Sequence, residues 1–401
     1  MVKEKRFTST VEDSDEIRAL LKIIMENRGN VLHVPMISMR SYETNLYDLT
    51  CDGNFNRLAS VWLNVVKAHN KLKLLAHPYI NIVLPDRSQV TQSSNDIIDK
   101  LVDQGDGYIT VYRNAAFPSG GPKQERSLRG SADFAATVLN LARYCDASIV
   151  IYEAEYVGAY LEISKLKYQS AKANNYKYKT VFWCPVSKTN NISPDFLEHV
   201  EHIDLELASM CDWLMVATHS QLEYFYEKTP KRDHSFIIVM GILIDPSLEM
   251  FSYEEDKDIT KMINDLHDDG KLVIYFPFRL TDPGYRFEYL MHLLEIIHER
   301  PIVFLYTDPN DSQKAEAYDI KRRQICELTA QIEFKKLESK RDVYYTCISN
   351  HNCIIPYLED VTEILHASWQ EMQYFSSTLV TYEPSISKMI RNIREADNST
   401  R

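Results

Sequence analysis

Several side chains in this chain stand where an apolar run gives way to a polar loop, the position from which open α/β folds do their chemistry. Arg279 follows the run KLVIYFPF and shares its loop with Asp282, Gly284 and Tyr285, with Arg286 next in line. A guanidinium at such a place suits a phosphate, which it meets through two parallel hydrogen bonds. Arg279 is therefore the leading candidate for holding a diphosphate, against the plain alternative of a surface ion pair. Tyr285 and Asp308, the latter at the end of IVFLYTD, are further candidates for binding a ligand, and His219 after the stretch VAT is another. Carboxylates occupy similar positions. Glu153 and Glu155 follow SIVIY, Asp52 and Glu43 lie in the first long loop, and Asp86 follows NIVLP. Glu153, Glu155 and Asp52 are the leading candidates for a base that deprotonates a hydroxyl. A strand-end carboxylate is also a common helix cap. His33, inside an apolar run, reads as a core histidine.

Two basic segments have a different chemistry. RNAAFPSGGPKQERSLRG supplies Arg113, Lys123, Arg126 and Arg129 around a Gly-Gly pair. KLKYQSAKANNYKYK sets five lysines, Lys177 and Lys179 among them, between three tyrosines. Interleaved cations and aromatics suit a polynucleotide backbone and unstacked bases. The bland alternative is a solvated helix face for the second segment and a connector for the first.

These residues need elements to position them, and the pattern supplies an alternation. Short apolar runs predict strands at Val31–Ile37, Ile80–Leu84, Tyr108–Tyr112, Ala147–Tyr152, Lys179–Trp183, Trp213–Ala217 and Phe236–Met240. Helical spacing separates them, at Glu16–Asn27, Phe55–His69, Asn95–Gln104, Ser131–Tyr144, Tyr156–Asn174, Phe196–Met210 and Gln221–Tyr226. Beyond an acidic, proline-bearing hinge, Leu272–Phe276 and Ile302–Tyr306 predict two buried strands flanking a helix. A long helix from Ser312 to about Ser339, a strand at Val343–Cys347, a helix at Leu358–His366, a strand at Thr378–Tyr382 and a last helix at Ser385–Glu395 follow. Buried strands alternating with helices make parallel, doubly wound sheets with right-handed crossovers.

A chain of 401 residues exceeds one ordinary core and fits two domains, 1–245 and 246–401. The expected fold is α/β, two Rossmann-like domains facing across a cleft, with the last helix free to return to the first domain. With 45% hydrophobic and 25% charged residues this is the composition of a globular protein. No run has the length of a membrane span, and the polar opening MVKEKRFTSTVEDSDE does not read as a signal peptide, so no membrane partner and a cytoplasmic location are expected. Seven scattered cysteines without a CxxC pair point to reduced thiols, and neither zinc nor a tightly bound cofactor is expected. A net charge of -12 disfavours a generally basic nucleic-acid binder without excluding one local groove.

Three stretches resemble the GT-B glycosyltransferases. CDWLMVATHSQLEYFYEK is similar to the last N-terminal βα unit of that family, SFIIVMGILIDPSLEMF to its interdomain turn, and KLVIYFPFRLTDPGYRFEYLMHLL to its donor loop. The usual second basic residue before the loop glycine is absent, and Arg286 beyond it is the substitute. The family's E-x7-E donor motif is also absent. Glu371 and Glu383 stand twelve positions apart, and Glu371 is taken as the donor carboxylate. The resemblance implies a nucleotide sugar, most simply UDP-linked, on the C-terminal domain and an acceptor on the N-terminal one. With the basic segments, it extends to divergent bacteriophage enzymes that glycosylate hydroxymethylated pyrimidines in double-stranded DNA. The alternatives are an enzyme of the same fold acting on a small-molecule or cell-wall acceptor, a sugar-nucleotide epimerase, and a non-catalytic nucleotide-binding protein.

Overall fold

The computed structural model describes residues 11–35, 53–85, 92–114, 131–153, 178–184, 211–216, 222–223, 227, 237–240, 243–278, 280, 285–297, 300–307, 314–317, 319–320, 332–358 and 367–400. The chain divides into two compact units between Met250 and Phe251. The division has a local cause. Asp245 is buried, its carboxylate accepts from Asn64 Nδ2 at 3.1 Å, and its backbone N–H donates to Ser60 Oγ at 3.0 Å. Leu248 and Met250 are buried as well, so the segment stays with the first unit as far as Met250.

In the first unit α1 (Asp15–Glu26) precedes β1 (Asn30–Val34). Ser14 caps α1, accepting from the Ile17 N–H at 3.3 Å, and Asp15 and Glu16 complement the positive end of its dipole. Then come α2 (Gly53–Leu72), β2 (Tyr79–Pro85), α3 (Gln92–Gln104), β3 (Ile109–Asn114), α4 (Ser131–Tyr144), β4 (Ile149–Glu153), β5 (Lys179–Cys184), β6 (Trp213–Val216) and β7 (Ile237–Val239). Every recorded pairing is parallel, in the order β3-β2-β1-β4-β5-β6-β7. The expected strands and the helices α1 to α4 are present, with ends shifted by a few residues. The helices expected at Tyr156–Asn174 and Phe196–Met210 lie outside the described residues.

The second unit opens on α5 (Lys257–Asp268), capped by Asp256, whose carboxylate accepts from the N–H groups of Asp258 and Ile259 at 3.1 and 3.0 Å. It continues through β8 (Leu272–Phe276), α6 (Phe287–Ile296), β9 (Ile302–Tyr306), β10 (Ile332–Lys336), α7 (Arg341–Ser349), β11 (Ile354–Tyr357), α8 (Ala367–Tyr374), β12 (Thr378–Thr381) and α9 (Ile386–Thr400). The sheet order is β10-β9-β8-β11-β12, again parallel. Both sheets are wound outward from their first strand and then across it, the Rossmann pattern.

Two expectations fail here. The stretch Val343–Cys347 is helix, within α7, and the strand next to β8 is Ile354–Tyr357 instead. A short apolar run fits a buried helix turn as well as a strand, and Val343, Tyr345, Cys347 and Ile348 are all buried. The long helix expected from Ser312 contains β10, an edge strand burying Ile332 while Glu333, Lys335 and Lys336 stay exposed. Its charge suits an edge and hides its strand character. The last helix, α9, packs on β11, β12 and α6 of its own unit through Met389, Ile390 and Ile393. An ion pair from Arg300 to Asp397 secures it there.

Candidate functional site

In a doubly wound sheet the ligand edge is the carboxyl end of the strands, at the point where the winding reverses. That point lies between β1 and β4 in the first unit and between β8 and β11 in the second.

At the first reversal stands a buried polar network. His33 is next to last in β1, and Glu153, the last residue of β4, is the register partner of Trp183 on β5. The Trp62 indole N–H donates to His33 Nδ1 at 2.8 Å. That fixes the proton on Nε2, which donates to Glu153 Oε1 at 2.9 Å. Arg57 donates to Glu153 Oε2 at 2.7 Å, and its guanidinium lies 4.6 Å above the Trp183 ring. His33 and Glu153 are completely buried. Burial holds the His33 imidazole below its usual pKa, outweighing the Glu153 hydrogen bond and charge that raise it. His33 is thus the neutral core histidine its apolar surroundings predict. Among the described residues, Arg57 Nη1 and Trp183 Nε1 are buried without a hydrogen-bond partner.

Glu153 therefore differs from what the sequence led us to expect of a general base. A base needs a lone pair facing a substrate, whereas both oxygens of this carboxylate accept from internal donors. Its structural work is to neutralise Arg57. The sequence reading missed Arg57, Trp62 and Trp183. Arg57 was detectable in principle, as a cation on the apolar face of a helix that otherwise buries Phe55, Leu58, Val61 and Val65.

At the second reversal the carboxyl edge is aromatic. Tyr285 stacks on Phe278, with ring centroids 4.7 Å apart and planes 14° apart. Phe278 meets Tyr357, the last residue of β11, edge to face at 5.4 Å. Arg286 adopts the left-handed conformation, with φ of 52°, immediately before α6. Its guanidinium lies 3.5 Å over the Tyr382 ring, and Tyr382 follows β12. Tyr289 donates to the Glu383 carbonyl at 3.0 Å. The edge thus combines stacked rings, a cation at a helix start, and the helix N–H groups whose partners no helix supplies. Leu280 is buried, and its carbonyl accepts from Lys314 Nζ at 2.7 Å. Lys314 also pairs with Glu288 at 2.5 Å. Desolvation raises the Glu288 carboxyl, but the Lys314 hydrogen bond and charge bring it below its usual pKa.

Glu371, taken above as the donor carboxylate, sits instead in the interior. Its oxygens accept from Tyr345 at 2.8 Å and Tyr344 at 3.0 Å, and the side chain is buried. Desolvation first, then the Glu371 charge, pushes both tyrosine hydroxyls up. This arrangement ties α7 to α8 and presents no free carboxylate edge to a ribose.

The two described cations of the basic segments, Arg113 and Lys179, do not come together. Arg113 lies near the carboxyl end of β3 and donates to Asn95 at 2.6 Å. Lys179 begins β5, at the amino end of the same parallel sheet, and pairs with Asp212 at 3.3 Å. One groove along one edge therefore does not hold both. Asp52, Glu155, His219, Arg279, Asp308, Lys123, Arg126, Arg129 and Lys177 lie outside the described residues, as do Glu43 and Asp86.

Parallel sheets of seven and five strands, each wound out from its first strand, define the two-Rossmann GT-B architecture. Solved structures share it along nearly their whole length. HepE from Anabaena in complex with UDP is 11% identical, with a TM-score of 0.56 over 93% of this chain and 91% of that one. In complex with UDP-glucose it is 11% identical, with a TM-score of 0.55 over 92% and 90%. Sucrose-phosphate synthase from Thermosynechococcus elongatus is 11% identical, with a TM-score of 0.57 over 92% and 94%. At such identity the likeness is one of fold. No family model and no curated protein sequence matches the chain.

Proposed function

We propose that the protein is a glycosyltransferase that moves a sugar from a UDP-linked donor to an acceptor hydroxyl. The observation that carries this is the match of both units, over nine-tenths of each chain, to a GT-B protein solved with UDP and with UDP-glucose. The carboxyl edge of the second unit supports it. Stacked Tyr285 and Phe278 suit the face of a uracil, while Arg286 and the start of α6 suit a diphosphate. In the reaction the acceptor oxygen bonds to the anomeric carbon, the bond from that carbon to phosphate breaks, and UDP leaves with the bonding pair. The acceptor proton passes to a base. Cations near the diphosphate lower the barrier because they meet charge that grows as the bond breaks. Arg279, between the anchored Phe278 and Leu280, is the cation we assign to this role.

For the acceptor we propose hydroxymethylated pyrimidine in DNA, with the base turned out of the duplex to reach the donor. Its support is the basic segment beginning at Arg113, on the carboxyl edge of the first sheet. UDP release from a panel of UDP-sugars, with and without hydroxymethylated DNA, tests both levels. Release that needs a UDP-sugar but not DNA would retain the transferase and discard this acceptor. Failure of every UDP-sugar to bind or turn over would discard the whole reading. Arg279→Ala should lower turnover by about 10² to 10³, as loss of one transition-state donor does elsewhere.

A further inference from the structure

The amino pole of the first sheet, opposite its ligand edge, carries an exposed apolar loop. Between α2 and β2 the chain reads KLKLLAHPY, and residues 71 to 77 are all exposed. Leu75 is 99% exposed, Leu72 54% and Tyr79 49%. Single exposed leucines are ordinary, but adjoining leucines held outward in one loop are not.

The loop is braced in that position. His69 on α2 bonds the Ala76 carbonyl through Nε2 at 2.7 Å. The turn before β1 closes against it from the other side. The Tyr79 N–H donates to the Gly29 carbonyl at 2.8 Å, and a Cβ on Gly29 would come within 2.5 Å of the His77 carbonyl oxygen. His77 stacks on Tyr108 at 5.1 Å. Lys73 takes the left-handed conformation, with φ of 51°, which costs about 1–2 kcal/mol in a residue with a Cβ. The bracing contacts hold the loop outward against the strain at Lys73.

The polar residues in the loop are cationic. Lys71 and Lys73 alternate with the leucines, Lys67 is exposed one helical turn earlier, and Arg28 is exposed on the neighbouring turn. Asp13, paired with Lys71, and Asp106 beside Tyr108 offset part of this charge. Leucine tips with flexible lysines and tyrosine or histidine rings behind them are the composition of a surface that enters the interfacial layer of a bilayer. There the ammonium groups snorkel to lipid phosphates. Because the chain as a whole carries -12, attraction to an anionic surface has to come from a local patch of this kind.

We infer that this loop docks the protein peripherally on an anionic lipid bilayer, with Leu74 and Leu75 entering the interface and Lys67, Lys71 and Lys73 meeting the headgroups. The sequence expectation of no membrane partner rested on helices and spans; this surface is a turn. Docking by the amino pole leaves the carboxyl edge of the first sheet away from the lipid, so the site there keeps access to an acceptor in solution.

Cosedimentation of the full chain with phosphatidylcholine vesicles, with and without phosphatidylglycerol, tests the inference. Binding should require the anionic lipid and weaken with added salt. Leu74→Glu with Leu75→Glu should reduce it by at least about tenfold, since two buried leucine side chains contribute more than one decade of affinity. Lys73→Glu should weaken it and leave the apolar contact in place. Unchanged melting of these exposed variants confirms that folding is not the cause. Absence of binding by the parent chain, or equal binding by the double leucine variant, would overturn the inference. Self-association of the parent that the leucine variant abolishes, without vesicle binding, would assign the loop to a second copy and also overturn it.

Discussion

Arg57→Leu is the substitution whose consequence the structure specifies most closely. The guanidinium and Glu153 form an ion pair with side chains 3% and 0% exposed, so solvent screening gives no relief. Removing the cation leaves a carboxylate in the core, beside the neutral His33, without its counter-charge. Breaking one side of a buried pair costs about 3–5 kcal/mol. In a unit of this size each kcal/mol lowers the melting temperature by about 2–4 °C, so the expected fall is about 6–20 °C. Arg57→Leu combined with Glu153→Gln removes both charges and keeps an acceptor for His33 Nε2. It should recover to within about 1–2 kcal/mol of the parent. Chemical denaturation of the four proteins, including Glu153→Gln alone, gives the coupling energy as a double-mutant cycle. A negligible coupling, or Glu153→Gln with full stability and abolished transferase activity, would refute the structural role and return Glu153 to the list of bases.

The parent should also lose stability as pH falls through the ordinary histidine value of 6.5. The unfolded chain then takes up a proton that buried His33 declines, at a slope approaching about 1.4 kcal/mol per pH unit. In His33→Gln that part of the acid slope should vanish in urea titrations at stepped pH. Glu371→Leu should cost about 2–4 kcal/mol by leaving the Tyr344 and Tyr345 hydroxyls without their acceptor, while UDP affinity measured by calorimetry stays at the parent value. Tyr285→Leu should weaken UDP binding by about tenfold, the lower part of the range for losing one base–aromatic stack, with little change in melting.

Legibility in the sequence followed how each element buries its side chains. The apolar runs IVIYE, LVIYF and IVFLY, rich in β-branched and aromatic residues, favoured buried strands, and β4, β8 and β9 are there. Arg279 was singled out because the loop after such a strand opens where these sheets bind ligands, and Arg286 as the substitute for the basic residue missing from the family's donor loop. VYYTCI was ambiguous, because a wholly buried helix turn and a buried strand share one composition. IEFKK was hidden by the charge that protects a sheet edge. The network around Glu153 was unreadable for another reason. Its members come from α2, β1, β4 and β5, and no local spacing says that Arg57 and Glu153 meet. Glu153 was placed at a strand end from the sequence, but nothing local indicated that both its oxygens accept from buried donors.

The winding of the two sheets has a consequence for how the chain emerges from the ribosome. β1 appears early yet becomes the middle of its sheet, since β2 covers one side and β4 the other. Until Ile149 emerges, one flank of Asn30–Val34 has no native neighbour. At roughly 5–20 residues per second, the stretch between Val34 and Ile149 keeps that flank open for about 6–23 seconds. The same holds on a shorter scale for β8, which waits for Ile354 to close its second side. In both units the centre of the sheet is closed only after its first flank is complete, and the half of the first unit that closes the seam also brings Glu153, the counter-charge without which Arg57 has no place in the core.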